Sequence, residues 1–219
     1  MNWRARILEG YAPGFAGMRW VDRYIGVPLI YLLKLFTPSS ACLGGDSGPL
    51  PRLERVVCSK FIGMGSVVLS LPLLRALKES GARVGFWTFG SQAEVLRLSG
   101  FVDDIYTIEP SFLGFIPSLW RSLRAVRRFK PQAFLDLEPT ANFSAILARL
   151  SAAPLRVGFM AAKHLRESLF SRLVSLTPER HISANNLLMA EVLGVTVTSS
   201  ELPPFPLVSL SAPLLSRKK

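Results

Sequence analysis

Cysteine and histidine are scarce in this chain. Cys42 and Cys58 are too few for a disulfide framework and read as two reduced thiols of a cytosolic protein. The histidines are His164 and His181, and no His/Cys cluster has metal-ligand spacing, so no metal site is expected. Charged residues are sparse at 19%, and with 49% hydrophobic residues a disordered chain is excluded. No apolar run approaches the roughly 20 residues that a membrane-crossing helix needs. Acids are outnumbered, 15 against 26 Lys and Arg, which leaves a net charge of +11. That excess calls for an anionic partner: nucleic acid, an acidic membrane face or a phosphorylated substrate. Nucleic acid ranks last. No recognisable binding motif is present, and aromatic–basic interleaving is confined to the first 40 residues.

What the chain does have is enough apolar length, in 219 residues, for one well-buried core with an appendage. The appendage is residues 1–36. Its uncharged run, 24–33, is fenced by Arg23 and Lys34 and interrupted by Gly26 and Pro28. Arg19, Trp20 and Tyr24 beside Leu29, Ile30, Leu32, Leu33 and Phe36 suit an amphipathic segment lying on a membrane. A helix packed on its own domain fits the same residues. A secretory leader, cut near Ser39-Ser40-Ala41, ranks below both because Lys34 splits the apolar stretch. Residues 37–54, rich in Gly, Pro and Ser, read as a linker.

From residue 55 a regular alternation begins. Strands are expected at 55–61, 83–89, 104–108, 132–137 and 155–159. Helices are expected at 66–80, 92–99, 117–129, 142–152, 165–174 and 182–193, with Gly194 capping the last. Val67, Leu71, Leu74 and Leu77 fall near one face of the first helix. Strands and helices at this spacing predict a Rossmann-like α/β domain over 55–195, a parallel sheet with helices on both faces. The Pro- and Ser-rich residues 196–219 read as a linker to a second domain.

In such a sheet ligands bind beyond the carboxyl ends of the strands. The first loop there holds Lys60, Gly63, Met64, Gly65 and Ser66. Two glycines permit a tight turn and close backbone approach, and Ser66 suits an N-cap whose free N–H groups favour an anion. A turn with no ligand explains the same residues. Nicotinamide binding is disfavoured, because Val68 and Leu69 stand where a small residue is wanted and the second strand ends in Thr88-Phe89-Gly90, without an acid. The second loop follows the fourth strand with Asp136, Glu138, Thr140 and Asn142. Asp136 either takes part in chemistry or braces a loop, and Glu138 either faces the site or is merely solvated. His181 and Asn185, four apart, share a helix face, although a histidine at a helix start more often caps or packs. Arg121, Arg124 and Arg128 line one face of the 117–129 helix, either as a solvated face or as a phosphate-binding patch.

The order of these motifs resembles glycosyltransferase family 9, the ADP-heptose:lipopolysaccharide heptosyltransferases, over roughly 55–195. Phe61-Ile62-Gly63-Met64-Gly65-Ser66, followed by Ser70-Leu71-Pro72, is similar to the family's opening strand, glycine turn and helix. Leu98-Ser99-Gly100-Phe101-Val102-Asp103 resembles its stretch before the third strand. Asp136-Leu137, Ser144-Ala145-Ile146-Leu147-Ala148-Arg149-Leu150 and Arg156-Val157-Gly158-Phe159 resemble its central region. His181, Asn185-Asn186-Leu187-Leu188 and Leu193-Gly194-Val195 resemble its last helix. The segment from Asp22 to Leu29 is similar to one that precedes the domain in some members.

The resemblance implies the N-terminal, acceptor-side half of a GT-B fold and an inverting, metal-independent transfer from a nucleotide-sugar such as ADP-heptose, with no cofactor. It implies an anionic glycolipid acceptor of the lipopolysaccharide-core type, at the inner face of the cytoplasmic membrane. It also implies a separate donor-binding domain or chain. The family's glycine turn ends in an Asp that serves as general base, and this chain has Ser66 there. A serine is a poor base without a partner. Ser66 and Asp136 are therefore the catalytic candidates, and Lys60, Gly63, Met64, Gly65, Glu138, Thr140, Asn142, His181 and Asn185 the acceptor-binding ones. The isolated chain is expected to be inactive. The rival is a non-catalytic acceptor-binding or scaffold module.

Overall fold

The computed structural model describes residues 22–35, 53–111, 113–160, 164–177 and 179–203. Trp20, Phe36, Cys42, most of the 37–54 linker and the end of the tail lie outside them. Six parallel strands form the sheet: β1 Arg55–Ser59, β2 Arg83–Phe89, β3 Asp104–Ile108, β4 Ala133–Asp136, β5 Leu155–Met160 and β6 Arg172–Ser175. Their order is β3-β2-β1-β4-β5-β6. β1 registers on β4 with Ser59 opposite Asp136. The strand order therefore reverses between β1 and β4, where a doubly wound sheet opens its crevice.

Helices cover both faces. Along the chain they are α1 Val27–Leu35 (opened by a π-helical turn, Asp22–Gly26), α2 Met64–Val68, α3 Leu71–Glu79, α4 Ala93–Ser99 and α5 Phe115–Phe129. Then come α6 Asn142–Leu150, α7 His164–Glu167 and α8 Ile182–Val192. The period-2 alternation of the strands divides the core. Val56 and Cys58, Phe86, Ala133 and Leu135 meet Leu71, Leu74 and Leu77 of α3 and Leu187 and Met189 of α8 on one face. Val57, Trp87 and Phe134 meet Ile30 of α1, Leu123 and Val126 of α5 and Ile146 of α6 on the other. Trp87, fully buried, satisfies its indole by donating to Ser122 Oγ at 3.1 Å.

Three expectations are corrected. The helix expected at 165–174 is the short α7 followed by an edge strand, β6, so the sheet has a sixth strand. Leu165, Leu169 and Leu173, four apart, imitate a helical stripe. In the structure Leu169 and Phe170 instead plug the core, and residues 172–175 extend along β5. The helix expected at 66–80 breaks into α2 and α3, with Pro72 in the first turn of α3 and Ser70 Oγ donating to Val67 O at 2.6 Å. Ser66 is not an N-cap: Gly63, at φ 85°, holds that position, and Ser66 lies inside α2. The expected end of α8 is found. Gly194 (φ 72°) donates to Glu191 O and Val195 to Ala190 O, both at 2.9 Å, the paired bonds of a Schellman motif.

Residues 22–35 pack on the domain. Ile30 is fully buried, and the Asp22 carboxylate caps α6 by accepting from Asn142 N at 3.1 Å and Phe143 N at 2.7 Å. The start of the expected tail also packs, with Arg75 Nη2 donating to Ser199 O at 2.9 Å. No helix among the described residues is long and apolar enough to cross a membrane.

Candidate functional site

Strand register puts the loop after β1 beside the loop after β4, at one edge of the sheet. The two are sewn together. Leu137 N donates to Ser59 O at 3.0 Å. Glu138 reaches across the crevice, where its Oε1 accepts from Phe61 N and Ile62 N, each at 2.9 Å, and its Oε2 pairs with Lys60 Nζ at 2.9 Å. Lys60 Nζ also donates to Leu137 O at 3.2 Å. The solvated Glu138 considered from the sequence is thus a buried one, and it takes the two backbone amides immediately ahead of the glycine turn. β2 and the turn that follows it add support from the other side. Thr88 Oγ1 donates to Lys60 O at 2.6 Å and Gln92 Nε2 to Phe61 O at 2.8 Å.

Asp136 is likewise sealed from solvent. It accepts from Ser59 Oγ at 3.2 Å, Ser144 Oγ at 2.8 Å, Glu138 N at 3.1 Å and Arg166 Nη2 at 2.7 Å. Burial pushes its carboxyl up to about 6, against the pull of Arg166, Ser144 and the Glu138 amide; the Glu138 charge adds to the rise. Arg166, also fully buried, spends its other donors on the loop carbonyls of Glu138 (2.7 Å), Pro139 (3.1 Å) and Ala141 (3.1 Å) and on the β5 carbonyl of Phe159 (3.3 Å). This fan of acceptors suits a planar guanidinium. Two positive and two negative side chains therefore hold the crevice floor in one shape. Of the residues at this edge, Gly63, Met64 and Gly65 are exposed, and Ser66 and Thr140 half-buried. Asn142 is buried, its amide Nδ2 donating to Asp22 O at 3.2 Å.

The His181 and Asn185 side chains take different partners, although Asn185 Nδ2 also reaches the His181 carbonyl at 3.5 Å. His181, exposed, caps α8 through Nδ1, which lies 2.7 Å from Ser183 Oγ. Asn185, buried, closes the β6–α8 loop, donating to Thr177 O at 3.0 Å and accepting from Thr177 N at 3.0 Å. The next residue, Asn186, donates to Leu69 O at 3.3 Å and so brings α8 against the α2–α3 joint. Arg121, Arg124 and Arg128 are exposed on α5, but they descend towards the opposite edge, where their neighbour Arg127 donates to Leu150 O at the end of α6. The structure does not bring them to the glycine turn. A cavity of about 460 Å³ also lies at that far edge, between Leu77, Glu79, Leu193 and Thr198, remote from both loops. Among the described residues, no three His, Cys, Asp or Glu gather into a metal site.

Sequence reasoning missed Arg166, Ser59, Ser144, Thr88, Gln92 and Asp22. Asp22 and Ser144 stood in motifs of the resemblance, and none of the six carried a local signal of its partner.

No protein-family model and no curated protein matches this chain. Solved structures do. A glycosyl transferase family 9 protein from Veillonella parvula superposes with a TM-score of 0.57 at 20% identity, over 69% of this chain and 45% of its own. The E. coli heptosyltransferase WaaC with ADP-2-deoxy-2-fluoro heptose gives 0.58 at 19% identity, over 68% and 51%. The E. coli ADP-heptose lps heptosyltransferase II gives 0.53 at 17%, over 71% and 45%. The chain spans about half the length of these structures. The Rossmann-like fold and the likeness to family 9 are thus borne out, and at these identities the likeness is one of fold.

Proposed function

We propose that the chain is the acceptor-side domain of an inverting, metal-independent glycosyltransferase of the heptosyltransferase kind. Its acceptor is an anionic glycolipid resembling a lipopolysaccharide core, met at the inner face of the cytoplasmic membrane. The observation that supports this most is the joining of the 60–66 turn and the 136–142 loop over the switch point, in a fold shared with heptosyltransferases. The acceptor hydroxyl attacks the anomeric carbon of the nucleotide-sugar, the glycosidic bond forms as the bond to the diphosphate breaks, the hydroxyl proton passes to solvent water, and the nucleoside diphosphate leaves. The donor is held by a second domain or a separate chain.

Within this reading the roles divide by exposure. Gly63, Met64, Gly65, Ser66 and Thr140 face the acceptor. Asp136, tied to four donors, positions the loop and has no route to an acceptor hydroxyl in this conformation. Lys60 and Glu138 hold the turn. With both crevice carboxylates buried, a non-catalytic acceptor-binding module is the second reading that the geometry favours. Amide chemical shifts during titration with a soluble phosphorylated core oligosaccharide test the site. Shifts should concentrate at 62–66 and 140–141; shifts confined to α8 or to the far-edge cavity would remove it.

A further inference from the structure

α1 is buried on one side only. Ile30 enters the core, yet Tyr24, Ile25, Tyr31 (60% exposed), Leu32 and Leu35 (80% exposed) form an apolar stripe facing solvent. Tyr31 follows Tyr24 and Leu32 follows Ile25 by seven, and Leu35 follows Tyr31 by four and Leu32 by three, which places them along one side. α5 repeats the pattern at its start, where Leu113, Ile116 and Trp120 are exposed. Beyond them its outer face turns to Arg121, Arg124, Arg127 and Arg128, with no acid in the helix. Arg124 stacks over Trp120, guanidinium carbon to ring centroid 4.9 Å. Ile30, Leu123 and Val126 belong to one buried cluster, so the exposed sides of both helices lie on the same side of the sheet. The two helix starts meet around Phe143. Its amide donates to Asp22 ahead of α1, and its ring lies 5.8 Å from that of Phe115 in α5. Phe143 also touches Phe61 of the β1 loop, centroids 5.3 Å apart, so this shoulder adjoins the crevice edge.

We infer that this shoulder is a docking face for an anionic bilayer. Tyr24, Tyr31 and Trp120 sit at the headgroup level, Ile25, Leu32, Leu35 and Ile116 enter the acyl boundary, and the α5 arginines meet lipid phosphates. Charge complementarity selects a lipid surface over a second copy, since apposed copies would bring two acid-free arginine helices together. Asp22, capping α6, fixes the docked helix to the loop beside the crevice, so a lipid-anchored acceptor is delivered to the 60–66 turn. The delivery rests on the acceptor reading; the docking does not.

The test is flotation of the full chain with phosphatidylcholine vesicles containing or lacking phosphatidylglycerol, with no sugar donor or acceptor present. Two variants are compared, Tyr31→Ser/Leu32→Ser/Leu35→Ser and Arg121→Gln/Arg124→Gln/Arg128→Gln, each first checked for an unchanged melting profile. The wild type should float with anionic vesicles, less so at high salt. Each variant should lose about tenfold or more in partitioning. Both leave residues 1–21 intact, so a loss maps to the shoulder. Equal flotation of wild type and variants would overturn the inference. So would a dimer in sedimentation that the stripe variant abolishes while the wild type ignores vesicles. Neither result bears on binding of a soluble oligosaccharide, which tests the acceptor site separately.

Discussion

Arg166 Nη2 lies 2.7 Å from Asp136 Oδ2, and both side chains are sealed from solvent. The guanidinium simultaneously serves the carbonyls of Glu138, Pro139, Ala141 and Phe159. One side chain from α7 thus holds the whole loop that follows β4. Its removal strands a buried carboxylate and several backbone acceptors. Arg166→Met should lower unfolding free energy by about 3–5 kcal/mol in urea denaturation. Arg166→Lys should recover little, because an ammonium cannot span the fan of acceptors. A loss below about 1 kcal/mol for Arg166→Met would show that the network is ornamental.

The same carboxylate has a pH signature. Burial raises Asp136 from its ordinary 3.8 to about 6. An acid with a raised folded pKa holds its proton more firmly in the folded chain than in the unfolded one. Between those two values the folded state therefore carries more protons, and the stability contributed by this group falls as pH rises from about 4 through 6. Asp136→Asn should remove that slope. Denaturation midpoints for wild type and variant across this range check it; parallel curves would contradict the raised pKa.

Gly158 in β5 sits against the Phe170 ring. A Cβ added there would meet three ring carbons at 2.6, 2.6 and 2.7 Å. Phe170 is itself buried beside Arg166, whose guanidinium carbon lies 5.1 Å from the ring centroid, so the ring cannot retreat into solvent. Gly158→Ala should cost about 1–3 kcal/mol by overpacking. At Gly65 an added Cβ meets nothing within 4 Å, and alanine there should leave the melting temperature nearly unchanged.

How far these features were legible in the sequence depends on their range. β1 to β5 announced themselves as short apolar runs between Gly, Pro and polar residues, and the glycine turn and the 136–142 loop followed from strand order. β6 did not, because Leu165, Leu169 and Leu173 fall at a helical interval while tertiary packing against β5 decides otherwise. The carboxylates were visible as residue types, but their fate was not. Asp136 finds Arg166 thirty positions away, and Glu138 reaches amides more than seventy positions back. Asp22 caps a helix 120 positions on. No local pattern encodes such partners; only the fold brings them together. Helical spacing alone puts Arg121, Arg124 and Arg128 on one side of α5, whereas their direction away from the crevice follows only from how the helix lies against the sheet.

We propose this domain as the acceptor side of sugar transfer, and donor and acceptor binding can be measured separately. Leaving-group stabilisation needs preorganised donors around the diphosphate, and here Glu138 occupies the Phe61 and Ile62 amides, which leaves the short α2 start as the one cluster of backbone donors at the turn. Titration calorimetry of the chain against ADP-heptose and against a phosphorylated core oligosaccharide separates the two sides. Measurable heat is expected with the oligosaccharide, lost in Met64→Ala/Thr140→Ala, and none with ADP-heptose. Tight binding of ADP-heptose with no binding of the oligosaccharide would contradict it.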